Sequence, residues 1–406
     1  MLGSLYVAQG LPLGFSMIAL PVLLRSRGMD LAAIGQLGVL LLPWAFKFLW
    51  APLLDRWRVP GLGARGQRAG WVLGCQLLAV PVALALATLD PVAQYGSALA
   101  LLLVLNVLFA TQDVAVDALA VNGMRSHGYV GANGVQTGGF SLGMVLGGCV
   151  TLPVYGAHGW PSSVLVLSAL IGACLLPVFA LREPRATSAA VPQASLRRFF
   201  RRPGSRQLLA AALLYKLPAM AGYALVNPLL VEQGAAFQTI SVVNATCVAV
   251  VAVIGSALAV WLARSWASAQ SVAVLAAMSC AVWLAFGLSL RIHGGGVVVT
   301  LIVQSLSYLL ITMAAVLVYA RFMAHASNEQ PGTDFSILYC AEAIANMLAH
   351  MLGGKLADTL GIPLTYVVVG VAGLMAAWWL PRLLCDEVQP SMGSDTVADM
   401  YAGGPR

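Results

Sequence analysis

Charge is scarce in this chain. Asp, Glu, Lys and Arg make up 9% of its 406 residues and hydrophobic residues 60%, whereas an ordinary soluble domain carries about 25% charge. With a mean hydropathy of +0.86, a soluble globular domain is excluded, and so is a disordered polar chain. Histidine is scarcer still. His127, His158, His293, His325 and His350 are scattered, with no HExxH, no paired metal spacing and no nucleophile elbow. No metal, no cofactor and no enzymatic chemistry is therefore expected. The cysteines (Cys75, Cys149, Cys174, Cys247, Cys280, Cys340, Cys385) include no CxxC and no loop pair, and they read as small apolar side chains. Met1 runs into an apolar stretch without a basic n-region or a small-residue cleavage site, which is not a typical secretory signal. A short cytoplasmic leader ahead of Met1 is an open expectation.

What the chain has instead is long apolar runs. Twelve candidate spans cover roughly residues 4 to 24, 31 to 54, 70 to 89, 95 to 121, 130 to 153, 160 to 181, 207 to 231, 239 to 263, 268 to 290, 296 to 320, 332 to 356 and 362 to 385. Each is about 20 residues or longer, enough to cross a hydrocarbon core of about 30 Å at 1.5 Å per residue. Of the 22 Lys and Arg residues, four (Arg25, Arg27, Arg291, Lys355) fall in odd-numbered gaps, and sixteen in even-numbered gaps or at the C-terminal end. That bias predicts that the even gaps and both termini are cytoplasmic. The net charge of +7 then reports topology and contact with anionic lipid, with no nucleic acid as partner.

The longest polar stretch inside the array, Arg182 to Arg206, holds Arg182, Arg185, Arg197, Arg198, Arg201, Arg202 and Arg206 with Pro184, Pro192 and Pro203. It divides the spans six and six. The expected organisation is a six-helix bundle over 1–181, a basic cytoplasmic linker over 182–206, a second bundle over 207–385 and a disordered cytoplasmic tail over 386–406. Spans five and eleven repeat weakly: Gly131 to Gly148 and Ile337 to Gly354 align without gaps on a final Leu-Gly-Gly, which sets Gln136 opposite Glu342. Two repeated halves suit a secondary transporter with a midplane site.

The chemistry must lie in ionisable groups inside the spans, because a charge at the bilayer centre costs about 2.5 to 3.5 kcal/mol even on lenient insertion scales. Those groups are Lys47, Asp113, Asp117, Lys216 and Glu342, with Asp334 near the start of its helix. Asp113, Asp117 and Asn106 share a face of span four. Span seven repeats that spacing with Lys216, Tyr223 and Asn227, and span eleven carries Tyr339, Glu342, Asn346 and His350 as a polar stripe. Three such stripes point to a shared aqueous cavity. Lys47 reads equally well as a substrate contact and as the structural partner of Asp113 or Asp117. Lys216 is a candidate for an anionic substrate group, with an ion pair as the alternative. Glu342 has no Lys or Arg nearby on its own helix, and a carboxyl alone in low dielectric takes up and releases protons, so proton coupling is expected there and at Asp113 and Asp117. His350 reads as a satisfied polar residue, and Gly139, Gly143, Gly147 and Gly148 read as close helix packing.

Span two and the loop after it run Phe46-Lys47-Phe48-Leu49-Trp50-Ala51-Pro52-Leu53-Leu54-Asp55-Arg56, and span four runs Ala110-Thr111-Gln112-Asp113-Val114-Ala115-Val116-Asp117-Ala118. With Ala8-Gln9-Gly10-Leu11-Pro12-Leu13 and Leu214-Tyr215-Lys216-Leu217, these segments resemble the muropeptide-permease-like (AmpG-like) family of the major facilitator superfamily. The resemblance spreads over most of the chain. It implies an all-α integral membrane protein of twelve transmembrane helices with the major facilitator fold, in two pseudo-symmetric six-helix halves. It also implies that Asp55, Arg56, Arg65 and Arg68 form the superfamily's conformational switch between spans two and three. Gly139 to Gly148 resembles an antiporter signature, but Met144 stands at its proline position.

The family divides by cargo into muropeptide permeases, acetyl-coenzyme A transporters and a bacterial branch importing siderophores of the pyochelin and rhizobactin kind. Muropeptide permeases often carry extra C-terminal spans, and the twelve-span length and the Gly332-Thr333-Asp334-Phe335 entrance to span eleven resemble the siderophore branch. The expectation is a monomer importing an anionic iron-siderophore across the bacterial inner membrane by proton-driven alternating access. Muropeptide import and acetyl-CoA carriage are the rivals, and a receptor that binds without transport is the reading from a different class. Substrate would meet Lys47, Lys216, Gln9, Gln136, Tyr215, Tyr223, Asn227, Tyr339 and Asn346. Aromatic stacking on a planar ligand is expected from Phe15, Trp44, Trp50, Tyr215, Tyr223 and Tyr339.

The orientation is testable by reporter fusion. Green fluorescent protein fused after Arg206 should fluoresce, and alkaline phosphatase fused after Gly294 should be active; the reverse pattern would invert the bundle.

Overall fold

The computed structural model describes residues 1–29, 34, 36–62, 66–123, 129–181, 183, 194–235, 245–266, 268–327 and 329–384. Residues 182 and 184–193 of the proposed linker, the tail after Leu384 and Arg65 lie outside the described residues. Nine apolar segments are long enough to cross a membrane among the described residues. One of them, Tyr129–Ala180, doubles back at Gly159 (φ 77°), and the shorter Gln36–Leu49 and Val250–Leu262 complete the twelve spans. The spans are α1 (Leu2–Ser26), α2 (36–56), α3 (Gln67–Ala87), α4 (Tyr95–Gly123), α5 (129–158), α6 (160–180), α7 (Ser205–Glu232), α8 (Ala245–Leu262), α9 (Ala269–His293), α10 (Val297–His325), α11 (Pro331–Leu360) and α12 (Ile362–Leu384). Helix is the only open-ended secondary structure that satisfies every backbone polar group in lipid. The large apolar side chains left on the surface, such as Trp261, Ile292, Val298 and Trp378, face that solvent.

The helices are interrupted where the sequence interrupts them. In α1, Pro12 lacks the N–H that would bond the Ala8 carbonyl, Ser16 Oγ donates to the Pro12 carbonyl at 2.7 Å, and one π-turn follows over Phe15–Ala19. Span α2 is built from four short pieces, Gln36–Leu41, Leu42–Phe46, Lys47–Leu49 and Ala51–Arg56, with Pro43 and Pro52 starting two of them. Phe46, just before Lys47, leaves the helical region at φ −112°, and Trp50 lies at its edge at φ −108°. A discontinuous span of this kind marks a protein-lined interior position.

The first and fifth helices of each half cross at glycine. A Cβ on Gly143 would overlap the Val7 carbonyl and stand 2.9 Å from Gly10 Cα, and one on Gly147 would overlap the Leu11 carbonyl. In the second half, a Cβ on Gly353 would stand 2.7 Å from the Ala221 carbonyl. The Leu-Gly-Gly repeat is thus one crossing used twice, because only a missing side chain lets two backbones come this close. Gly139, Gly143, Gly147 and Gly148 of span five serve packing.

Between the halves, α5 lies against α8 and α10, and α11 against α2 and α4. Ala120, Val121 and Ala132 of the first half share a core with Phe322, Phe335 and Ile337 of the second. These contacts gather toward the end of the bundle that carries the even-numbered connections, the basic end. At the far end, Arg27 pairs with Asp90 at 2.9 Å within the first half alone. The Asp90 carboxyl is held down at about 2 by the Ala93 backbone N–H, then by Arg27 and the Val92 N–H.

Packing at the α1–α5 crossing predicts that Gly143→Leu lowers the melting temperature of the detergent-solubilised protein sharply, since overpacking costs about 1 to 3 kcal/mol and here the obstacle is backbone. Gly131→Ala, where a Cβ meets open space, should leave it unchanged or slightly raised.

Candidate functional site

The polar stripes converge on two charge clusters, one in each half. In the first half the break in α2 turns Lys47 inward, where its side chain is wholly buried. Its ammonium pairs with Asp113 and lies 3.6 Å from Asp117 Oδ2, both on α4 and one turn apart. Asp117 Oδ1 accepts hydrogen bonds from Tyr6 Oη of α1 at 3.1 Å and from Gln136 Nε2 of α5 at 2.9 Å. One turn or more along α4, Asn106 accepts from Trp44 Nε1 at 3.0 Å. The cover over Lys47 comes from the other half, where the ring of Tyr339 on α11 sits 4.0 Å from the ammonium. Its neighbour Cys340 donates from Sγ to the Trp44 carbonyl at 3.5 Å.

In the second half Glu342 of α11 accepts from Lys216 at 2.5 Å and from the Tyr215 hydroxyl, both through Oε1. Glu342 is therefore not alone, as its own helix suggests, because α7 supplies its cation. Lys216 keeps 19% of its side chain exposed, against none for Lys47. Tyr223 packs its ring on Tyr308 at 5.5 Å and accepts from Gln304 at 3.5 Å. The polar face of α11 passes from buried Glu342 through half-buried Asn346 to exposed His350, whose Nδ1 lies 2.8 Å from the Asn346 carbonyl. Asn227 is exposed in the last piece of α7.

The expected substrate contacts thus divide by accessibility. Lys216, Tyr223, Asn346 and Asn227 have surface to offer, and so does Tyr339 in part. Lys47, Gln9, Gln136 and Tyr215 are buried, and Lys47 as a substrate contact has no free face in this conformation. Gln9 makes no hydrogen bond through either amide atom. Of the aromatic candidates, Phe15 and Trp44 are core residues that pack on Trp160 and Phe140.

The basic end is latched. Asp55 at the end of α2 accepts from the Thr333 backbone N–H at 2.7 Å and from its hydroxyl at 2.8 Å, so it caps the N-terminus of α11 from the opposite half. Gly332 allows this approach, since a Cβ there would press Val114 at 3.0 Å. Arg68 stands 3.8 Å from Asp55 and pairs with Glu183 at 2.8 Å, while Arg56 donates to the Ala194 carbonyl.

Sequence reasoning missed several members of these networks. Tyr6 was legible only as an aromatic one turn before Gln9. In the sequence Leu196–Arg201 is only part of a basic linker, yet Ser195 bonds Gln330, Arg198 pairs with Glu329, and Arg202 pairs with Asp334 at 2.9 Å. Opposite charges in two separate even-numbered connections were the available signal.

Against known proteins, the family model described as acetyl-coenzyme A transporter 1 matches residues 1–157. The anhydromuropeptide permease of Escherichia coli K12 is 29% identical over 259 residues, 61% of this chain and 52% of that protein. A putative transporter AmpG 4 of Rickettsia felis is 26% identical over 242 residues, 56% of this chain and 58% of that one. The chain spans little more than half the length of these relatives. Among solved structures, the fucose:proton symporter FucP of Escherichia coli superposes with a TM-score of 0.71 at 16% identity, covering 95% of this chain and 98% of that one. A bacterial homologue of the iron transporter ferroportin, in an outward-facing state, gives 0.68 at 15% identity over 95% and 98%. The chain is thus a multi-pass membrane protein with the major facilitator fold, and its sequence is similar to that of the anhydromuropeptide permeases.

Proposed function

We propose that this chain is a proton-driven carrier of the bacterial inner membrane, acting as a monomer, that imports anhydromuropeptide-class sugar-peptides by alternating access. The observation that carries the reading is the Lys216–Glu342 pair, a cation kept partly exposed on α7, with half-buried Tyr223 further along α7 and Asn346 one turn beyond Glu342 on α11. A peptide carboxylate of the cargo would replace Glu342 as the partner of Lys216, and the sugar rings would lie on the tyrosines. The similarity to anhydromuropeptide permeases supports that cargo class. No relative named above is described as carrying a siderophore, so the siderophore expectation gives way to its alternative. The ferroportin homologue matches at the level of fold alone.

The latch at the basic end supports a state closed to the cytoplasm, with Asp55, Arg56 and Arg68 as the switch. Cargo bound between the halves would favour closure of the far end and release of that latch, so that the halves rock about the central site. Acetyl-CoA is the second reading, favoured by the family model over residues 1–157. Its several phosphates call for more exposed cations than Lys216.

The test is uptake by permease-deficient cells expressing the chain, with labelled anhydromuropeptide, acetyl-CoA and an iron-loaded pyochelin-type siderophore offered separately, with and without a protonophore. Anhydromuropeptide should accumulate and the protonophore should abolish the accumulation. Lys216→Met should reduce uptake about tenfold or more, because a charge-assisted hydrogen bond is worth about 1.5 to 3 kcal/mol. Accumulation of one of the other cargoes alone would reject the cargo and keep the carrier.

A further inference from the structure

The two charge clusters are not equivalent in their electrostatics. Lys216 and Glu342 balance one cation against one anion. Lys47 faces two carboxylates, Asp113 and Asp117. Asp113 keeps 5% of its side chain exposed, and Lys47 and Asp117 keep none. The other groups facing Asp117 are Tyr6 of α1, Gln136 of α5, and Tyr339 and Cys340 of α11, beside Lys47 of α2 and Asp113 of its own helix. None of them brings a second positive charge. Ionised throughout, the triad would seal a net negative charge in the membrane interior. Asp117 Oδ2 is buried, accepts no hydrogen bond within 3.5 Å, and has the Lys47 ammonium at 3.6 Å, a cation that Asp113 holds more closely. An uncompensated buried ion costs several kcal/mol, and a proton on that oxygen removes the cost.

We propose that Lys47, Asp113 and Asp117 form the proton-binding centre of the carrier, that Asp117 Oδ2 holds the proton in the conformation latched at the basic end, and that Tyr339 couples its occupancy to the opposite half. This deepens the proton-driven reading above and rests on it for the transport step alone. Glu342 then belongs to the cargo side and not to the proton path. The step is a simple transfer: an aqueous proton from the far side reaches the triad through Asp113, the member with exposure, and adds to Asp117 Oδ2. Lys47 stays an ammonium paired with Asp113. When the halves part at the basic end, the Tyr339 ring leaves Lys47 and water enters. The Asp117 carboxylate is then solvated and the proton departs on that side.

The proton is read directly, without cargo, by infrared pH-difference spectroscopy of the full chain reconstituted in phospholipid vesicles. The wild type should show the carbonyl band of a protonated carboxyl at neutral pH, Asp117→Asn should remove it, and Glu342→Gln should retain it. Asp113→Asn should remove it as well, because one cation and one remaining carboxylate need no proton. A role that is merely structural predicts no such loss in a variant that keeps Asp117. A band that survives Asp117→Asn, or that disappears with Glu342→Gln, overturns the proposal even if one variant folds poorly. In transport, Asp117→Asn should exchange labelled anhydromuropeptide across vesicles at equal concentrations while its accumulation falls to the protonophore-treated level. A wild type that shows the band and moves no muropeptide would defeat the cargo assignment and leave the proton centre standing.

Discussion

The rest of the structure is arranged around one buried lysine. A single ammonium in the bilayer interior is tolerable only beside an anion, because desolvation of each ion costs several kcal/mol and the Coulomb attraction returns it only at short range. Lys47 obtains two aspartates one helical turn apart on α4, and the break in α2 that points it at them exposes the Trp44 carbonyl to Cys340. Its remaining face is closed by an aromatic ring from the other half. Moving the halves apart therefore changes the solvation of a charge, which makes the conformational and the ionisation equilibria one problem.

One helix meets every part of this machinery. At its start, α11 gives its N-terminal Thr333 to Asp55; about 9 Å further on, at 1.5 Å per residue, Tyr339 covers Lys47, and one turn later Glu342 holds Lys216. The Asp55 contact, the cover over Lys47 and the Lys216–Glu342 pair lie on three successive stretches of a single helix. A movement of α11 against α2 and α4 would change all three contacts together. The linker adds a second strap at the same end, with Arg202 on Asp334 and Ser195 on Gln330. The far end carries its Arg27–Asp90 pair inside one half, where it does not resist separation.

The comparisons bear on different levels of this picture. Likeness to FucP at 16% identity speaks to the fold. Likeness to anhydromuropeptide permeases covers little more than half of those proteins, which leaves the cargo to the uptake experiment. The pairing of Lys216 with Glu342 changes what the sequence alone suggested about roles.

The sequence by itself determined the membrane-spanning class, the twelve runs and the faces on which the polar residues lie. Apolar length and helical period are local properties, and lipid enforces them without tertiary help. It also made the Leu-Gly-Gly crossing legible, since a missing side chain in a helix has few other uses at that spacing. Tertiary structure alone decided who pairs with whom. Lys216 and Glu342 stand 126 positions apart and Tyr6 and Asp117 stand 111 apart, and nothing in the local pattern of either helix tells which carboxylate has its own cation and which must share. That choice follows from how α11 is seated between the halves, and it separates the paired charge from the one left over.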